Sequence, residues 1–416
     1  MAKGRVVIVG GGSGGDAAAF ALRKKGFDGE VVILSADQDR PYDRPYLSKE
    51  FLRGEVELPK VYLHDEADYR KQGIDLQVMT RVKAASTKDR SVMLEGGKEL
   101  KFDTLVLALG GTPRWLEGAP RAENVFTLRS LRDSMAIREA LGAASRLLLV
   151  GAGFIGAEVG ASARVLGKEV LMLEAAAVPL GRALGEEVGK VYADIHRQKG
   201  VDVRTGTQVR EWHVNPGRAD APGGRVTGVS LSDGKREEVD MVVLAVGIEP
   251  NLDLPKSMSL AIEGGGVRVD EGLRSPDGVY VAGDIALHQH PILGRAIRVE
   301  HWEVAKGQGR GIAASIADGH TPYSKLPYFW SDQYDVSLEY RGQASGEDRT
   351  VWRGDRDKRV FSVFYLRDGR IQAVLSMNDK ETGETGAKLI EARRNVDERA
   401  LADTGVDLKE LLPASL

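Results

Sequence analysis

VVIVGGGSGG (residues 6–15) and LLLVGAGFIG (residues 147–156) carry the same pattern twice. Each runs from four aliphatic residues into GxGxxG, Gly10-Gly12-Gly15 in the first and Gly151-Gly153-Gly156 in the second, and each opens an alanine-rich helical stretch. A strand that turns on such glycines into a helix is the context that makes the pattern a dinucleotide-binding signature. Glycine permits the tight turn and lets the backbone approach a pyrophosphate. The helix N-terminus offers that group unpaired N–H donors and the positive end of a dipole. One such turn alone also reads as an ordinary strand-to-helix corner; two in register make two bound dinucleotides the leading expectation.

Outward from these turns the chain reads as three domains. The first βαβ unit continues through DAAAFALRKKG to the strand EVVILS. RPYDRPYLSKEFL is broken by Pro41 and Pro45 and reads as a loop entering a short helix at Ser48. FDTLVLALGGTPR reads as a strand closed by a Gly-Gly-Thr-Pro turn, and the helical SLRDSMAIREALGAA leads to the second unit. There EVLMLEA is a strand, GEEVGKVYADIHRQKG a helix, RVTGVSLSDG part of a β-meander and VDMVVLAVGIEPN a strand. GVYVAGDIAL is a further strand that ends in Gly-Asp. From about Pro322 the period changes to two, in FWSDQYDVSLEYRG and VFSVFYLRDGRIQAVLSMN, before a last helix near GAKLIEARRN. The expected fold is α/β, with two Rossmann-like dinucleotide-binding domains and a C-terminal α+β domain. The expected boundaries are 1–117 with 248–321, then 118–247, then 322–416.

Composition excludes several classes. A chain of 416 residues, 42% apolar, has material for about two to four ordinary cores. It contains no 18-residue apolar run and no basic-then-apolar leader, so neither a membrane span nor a secretory signal is expected, and the expected location is cytoplasmic. A net charge of −3 from 58 basic and 61 acidic residues gives no electrostatic reason for nucleic-acid binding. Cysteine is absent. That removes disulfides, thiolate metal ligands, thiolate nucleophiles and any redox-active dithiol.

A dinucleotide turn calls for a carboxylate about 20 residues on, to accept ribose hydroxyls. After Gly151 it is Glu174, followed by Ala175, Ala176 and Ala177, which offer no cation to a 2′-phosphate; NADH is therefore expected over NADPH. After Gly10 it is Asp37. Either acid also reads as a turn residue at a strand end.

VGGGSGG, RPYDRPYLSKEFL, LALGGTPR, VGAGFIGAE, LAVGIEPN, VYVAGD, VEHWEVAKGQGRGIAASI and FWSDQYD, in this order, span nearly the whole chain. Together they resemble the two-dinucleotide-fold flavoproteins, in the branch of oxygenase-coupled NADH:ferredoxin reductases that also holds the putidaredoxin and rubredoxin reductases and the apoptosis-inducing factors. The resemblance implies FAD at the first turn, NAD(H) at the second and a C-terminal domain covering the flavin. It places Arg44 and Pro45 along the FAD pyrophosphate, Lys49 near the flavin N5 edge, and Thr112 and Pro113 beneath the ring. Asp284, after the cofactor-binding Gly283 of the same motif, would hold ribityl hydroxyls, although Asp284 also reads as the N-cap of a following helix. Glu158 would face the nicotinamide and pair with Lys49; the plain alternative is a surface lysine after an N-cap and a packing glutamate. Gly247, Glu300 and His301 fall in the shared segments, and Trp302 and Trp330 in those that flank the flavin, where either also reads as core. His288 and His290 lack further ligands and read as surface histidines, with no metal expected.

Two departures stand out: Ser35-Ala36-Asp37 where an acid commonly ends the second FAD strand, and LSMNDKETGETGAKLIEARRN, which drifts toward the apoptosis-inducing-factor branch. Related disulfide reductases pass electrons to cysteine in the region that here reads Leu47-Ser48-Lys49. Without cysteine the flavin must donate directly, and the family-consistent acceptor is an iron-sulfur protein, ferredoxin or rubredoxin, taking one electron at a time. A quinone or oxygen as acceptor, and an NADH-sensing role, are the alternatives. A monomer or homodimer is expected.

Overall fold

The computed structural model describes residues 4–217 and 223–413. Its first parallel sheet has the strand order Tyr280–Val281, Thr104–Leu107, Arg5–Val9, Glu30–Leu34, Ile74–Gln77. The second has Asp202–Thr205, Glu169–Glu174, Arg146–Val150, Met241–Leu244, Val125–Phe126. In both, the strand bearing the glycine turn is internal: its helix leads to the neighbour on one side, and the other neighbour comes from a much later segment. The chain direction across the sheet reverses there, opening a crevice at the carboxyl ends of the strands where such sheets bind ligands. Val6–Val9 and Leu147–Val150 are buried, as strands covered on both faces must be.

The first glycines of the two turns are required by their backbones. Gly10 has φ +119° and Gly151 φ +100°, and a Cβ would lie 2.1 Å and 2.5 Å from the carbonyls of Ala108 and Ala245 respectively. The helix that follows Gly10, Ser13–Lys24, crosses helix Trp302–Asp318 closely enough that a Cβ on Gly309 would sit 2.1 Å from the Gly14 carbonyl.

The C-terminal sheet is antiparallel, in the order Tyr328–Gln333, Val336–Gly342, Arg370–Met377, Val360–Arg367, Arg349–Asp355. Phe361, Val363 and Tyr365 face Leu184, Val188 and Tyr192 of the second nucleotide unit, in one continuous core. Phe364 and Leu366 face the other way, toward Leu389 and Ile390 of helix Lys380–Ala392. Both faces are covered, so VFSVFYL is buried almost throughout instead of alternating.

Several local expectations are corrected. Gly-Gly-Thr-Pro is not a closing turn: Gly111–Pro113 is a strand paired antiparallel with Ile248–Pro250, because the chain leaves the first unit and returns to it side by side. VDMVVLAVGIEPN is accordingly two strands, interrupted at Gly247, φ +95°. Ser48 does not cap a helix. It ends the 3-10 turn Arg44–Ser48, and helix Glu50–Arg53 starts beyond Lys49. No helix follows Asp284; the 3-10 turn Gly283–Ile285 passes into strand Ala286–His290. His288 and His290 are buried, not on the surface, since strand alternation turns both inward while Gln289 is exposed. Their Nε2 atoms lie 3.2 Å from the Glu271 carbonyl and 3.1 Å from the Lys325 carbonyl.

Candidate functional site

At both glycine turns a protein atom crowds two of the three glycines and leaves one open. A Cβ on Gly15 or Gly156 would lie 2.1 Å from the carbonyl of Gly10 or Gly151. On Gly12 its nearest neighbour would be Arg44 Nη2 at 3.9 Å, and on Gly153 nothing lies within 4 Å. The open glycine faces space at a helix N-terminus, the shape and field that a diphosphate fills. The residues present therefore fit a dinucleotide at each turn.

The first cleft encloses about 590 Å³ and is lined by the Gly10–Gly14 loop, Asp37, Arg44, Thr112 and Asp284. Asp37 Oδ2 accepts from Tyr42 Oη at 2.8 Å, and burial pushes that phenol up to about 12. Pro45 sits in the first turn of the 3-10 segment that carries Arg44. Thr112 Oγ1 donates to Asn251 Oδ1 at 2.8 Å, and Pro113 pairs in register with Ile248. The Gly247 carbonyl accepts the Arg114 N–H, and the Gly283 N–H donates to Gln308 Oε1 at 2.7 Å. Asp284 Oδ2 receives Arg129 Nη2 at 2.5 Å, while Arg129 Nε is buried without a partner. Arg298 Nη1 joins the Asp284 carbonyl to Glu300 Oε1.

Lys49 and Glu158 form a buried pair, Nζ to Oε2 3.1 Å, with side chains only 7% and 6% exposed. Glu158 is the one charged residue in the buried run Gly156–Ala163 of helix Phe154–Val165. One turn on, Ser162 Oγ donates to the Ser48 carbonyl at 2.7 Å and fixes the 3-10 turn on that helix. Glu158 Oε2 also accepts from Ser48 Oγ at 2.5 Å, and Oε1 from Ser331 Oγ at 2.7 Å. Three separate parts of the chain thus meet on one carboxylate.

His301 stacks on Phe329 at 4.0 Å, and burial pushes it down to about 4, so the ring is neutral near pH 7. Trp302 and Trp330 meet edge to face at 6.1 Å; Trp302 Nε1 is buried and unpartnered, and Lys306 Nζ lies 4.2 Å over its ring. At the second turn Glu174 accepts the N–H groups of Ala152 at 2.9 Å and Ala176 at 2.8 Å. A carboxylate offers about four lone-pair sites, so it can still accept ribose hydroxyls.

Sequence reasoning missed Arg129, which no local motif marks, and the roles of Ser48 and Ser331, although LSK and FWSD contain them. Among the described residues no three His, Cys, Asp or Glu side chains form a group able to hold a metal, and no helix is long and apolar enough to cross a membrane.

Residues 4–309 match the pyridine nucleotide-disulphide oxidoreductase family, and residues 328–412 match the reductase C-terminal domain. Over 411 residues the chain is 38% identical to the 5,5′-dehydrodivanillate O-demethylase ferredoxin reductase subunit of a Sphingobium species, covering 98% of each. It is 36% identical over 420 residues to putidaredoxin reductase of Pseudomonas putida, covering 100% of this chain and 98% of the relative. The crystal structure of the covalent putidaredoxin reductase–putidaredoxin complex holds a chain similar in fold, with TM-score 0.93 and 35% identity, over 99% of this chain and 98% of that one.

Proposed function

The chain belongs to the pyridine nucleotide-disulphide oxidoreductase family, in the form closed by a reductase C-terminal domain, and from that premise we propose that it is an FAD-dependent NADH:ferredoxin oxidoreductase. It passes electrons from NADH through FAD to an iron-sulfur protein, ferredoxin or rubredoxin. The observation that carries this reading is the pair of open glycine cradles together with the buried Lys49–Glu158 pair, in a chain without cysteine. FAD, bound at the first turn, supplies the conversion of a two-electron donor into one-electron deliveries.

The chain's own residues bind and orient. The Gly10–Gly15 turn, Arg44 and Pro45 hold the FAD diphosphate; Asp37, Thr112, Pro113, Gly283 and Asp284 line its length. The Gly151–Gly156 turn and Glu174 hold NADH. Glu174 repels a 2′-phosphate, and like-charge juxtaposition can cost several kcal/mol. Glu158 keeps the Lys49 ammonium in place, and with the cofactors bound that fixed charge in a dry site would stabilise negative charge on the reduced flavin. His301, Trp302 and Trp330 exclude water. Residues 1–117 with 248–321 form the FAD domain, 118–247 the NADH domain and 322–416 the covering domain, and the chain works as a monomer or homodimer.

The test is direct. Purified protein is expected to be yellow with one FAD per chain, to bleach under anaerobic NADH, and to favour NADH over NADPH in kcat/KM by at least about tenfold, or ~1.4 kcal/mol. Protein that takes up no flavin overturns the reading; equal efficiency with both coenzymes overturns the role of Glu174.

A further inference from the structure

Glu158 terminates a longer hydrogen-bonded chain of side chains. Beyond Ser331 Oγ comes Gln333 Nε2 at 3.0 Å; Gln333 Oε1 lies 2.9 Å from His196 Nε2, and His196 Nδ1 lies 3.0 Å from Tyr334 Oη. Ser331 and Gln333 are alternate residues of strand Tyr328–Gln333 and so share a face. His196 comes from the last turn of helix Glu186–Gln198 in the second nucleotide unit. Glu158, Ser331, Gln333 and His196 are all buried.

Donor chemistry fixes the direction of this chain. The Glu158 carboxylate, paired with Lys49, only accepts, so the Ser331 hydroxyl donates to it. Ser331 then accepts from the Gln333 amide N–H. That turns the Gln333 carbonyl to His196, whose Nε2 must carry the proton, and the bare Nδ1 accepts from the Tyr334 hydroxyl. Every donor therefore points along the chain toward Glu158. Burial pushes His196 down to about 4, which keeps the ring in the neutral form that this order requires.

We propose that Ser331, Gln333 and His196 are positioning residues for NADH oxidation: a one-way hydrogen-bond chain, anchored in the C-terminal sheet and the NADH-side helix, that holds the Glu158 carboxylate aimed at Lys49. The inference rests on the oxidoreductase reading above. Its physical basis is that a buried polar network fully satisfied specifies one geometry, whereas the loss of any member leaves the others unpaired in a low dielectric. The C-terminal domain then does more than cover the site: it sets the orientation of a group in it.

Flavin-loaded full-length protein, reduced anaerobically by NADH in stopped flow, gives the test. Ser331→Ala is expected to lower the limiting rate constant of bleaching about tenfold, with flavin content unchanged and the NADH concentration for half-maximal rate changed less than about twofold; one factor of ten corresponds to ~1.4 kcal/mol. Ser331→Thr, which restores the hydroxyl, is expected to recover most of that rate. In a Glu158→Gln background, Ser331→Ala should add little further slowing. Thermal midpoints of the flavin-free proteins should show the same non-additivity in a double-mutant cycle. If Ser331→Ala takes up no flavin, Gln333→Glu keeps the side-chain size, removes the donor to Ser331 and is expected to slow bleaching comparably. Wild-type rates in Ser331→Ala or Gln333→Glu, or independent multiplicative effects of Ser331→Ala and Glu158→Gln, would overturn the proposal while leaving the oxidoreductase reading intact. Wild-type protein that binds flavin and is not bleached by NADH would overturn that reading instead.

Discussion

Lys49 and Glu158 hold opposite charges 3.1 Å apart, nearly free of solvent. Removing either charge of such a pair leaves the other uncompensated, typically at about 3–5 kcal/mol; Glu158→Gln keeps the side-chain size and two polar atoms toward Ser48 and Ser331 but leaves the Lys49 ammonium without its counter-charge. Glu158→Gln is expected to be less stable than wild type yet to retain FAD, and to bleach with NADH at least about tenfold more slowly, the factor that ~1.4 kcal/mol produces. Lys49→Ala, lacking a cation to stabilise negative charge on the reduced cofactor, is expected to lower the flavin potential in a dye titration. An unchanged rate in the first and an unchanged potential in the second would remove the pair from the chemistry. This pair was legible because each member lies in a motif of its own, LSK and GFIGAE. Arg129, which neutralises Asp284, was not: the two are brought together by the fold, and neither VFTLRS nor its spacing marks the contact. HQH misled for a related reason, since two histidines at strand period reveal that they share a face and nothing about which face is buried.

At the scale of the strand-to-helix turn, the glycines divide into those that the fold needs and those that a ligand needs. Gly10 and Gly151 approach neighbouring carbonyls, so side chains there strain the protein itself. Gly12 and Gly153 face space. Gly12→Val is expected to yield folded protein without flavin. Gly153→Val should keep a full complement of FAD and lose NADH affinity at least about tenfold, measured by anaerobic titration against absorbance. A Gly12→Val protein with normal flavin content would contradict the first cradle. The elements themselves were largely readable, because aliphatic runs before glycine and period-two strands after Pro322 are local signals. Gly111–Pro113 was not, because its partner Ile248–Pro250 lies on the far side of an inserted domain. Ser48 was misread as a cap because its hydroxyl is claimed by Glu158, a tertiary partner.

Across the whole molecule, burial of imidazoles gives a pH dependence with a definite sign. Of the seven histidines, His196, His288 and His301 are pushed down to about 4 and His290 is lowered, in each case chiefly by desolvation; His64, bonded to Asp16, is raised. An unfolded chain carries its histidines near 6.5 and so binds more protons than the folded one between about pH 6.5 and 4. Stability is present above that window and is lost as pH falls through it, while His64 opposes the trend by favouring the protonated form. The thermal midpoint is expected to drop between pH 7 and 5, and less steeply in His288→Asn than in wild type; a flat or rising midpoint would contradict the burial. Two parallel dinucleotide-type sheets followed by a C-terminal antiparallel sheet were legible at this scale. The continuous core that joins the C-terminal sheet to Leu184, Val188 and Tyr192 was not, since apolar residues on two distant segments do not declare that they face each other. Direct transfer of electrons from the flavin to an iron-sulfur protein is read out by NADH consumption of the flavin-loaded protein with a [2Fe-2S] ferredoxin, a short-chain quinone and dissolved oxygen compared side by side. Ferredoxin is expected to raise the rate at least about tenfold above either small acceptor; a rate that ferredoxin leaves unchanged would rule out direct transfer to an iron-sulfur protein.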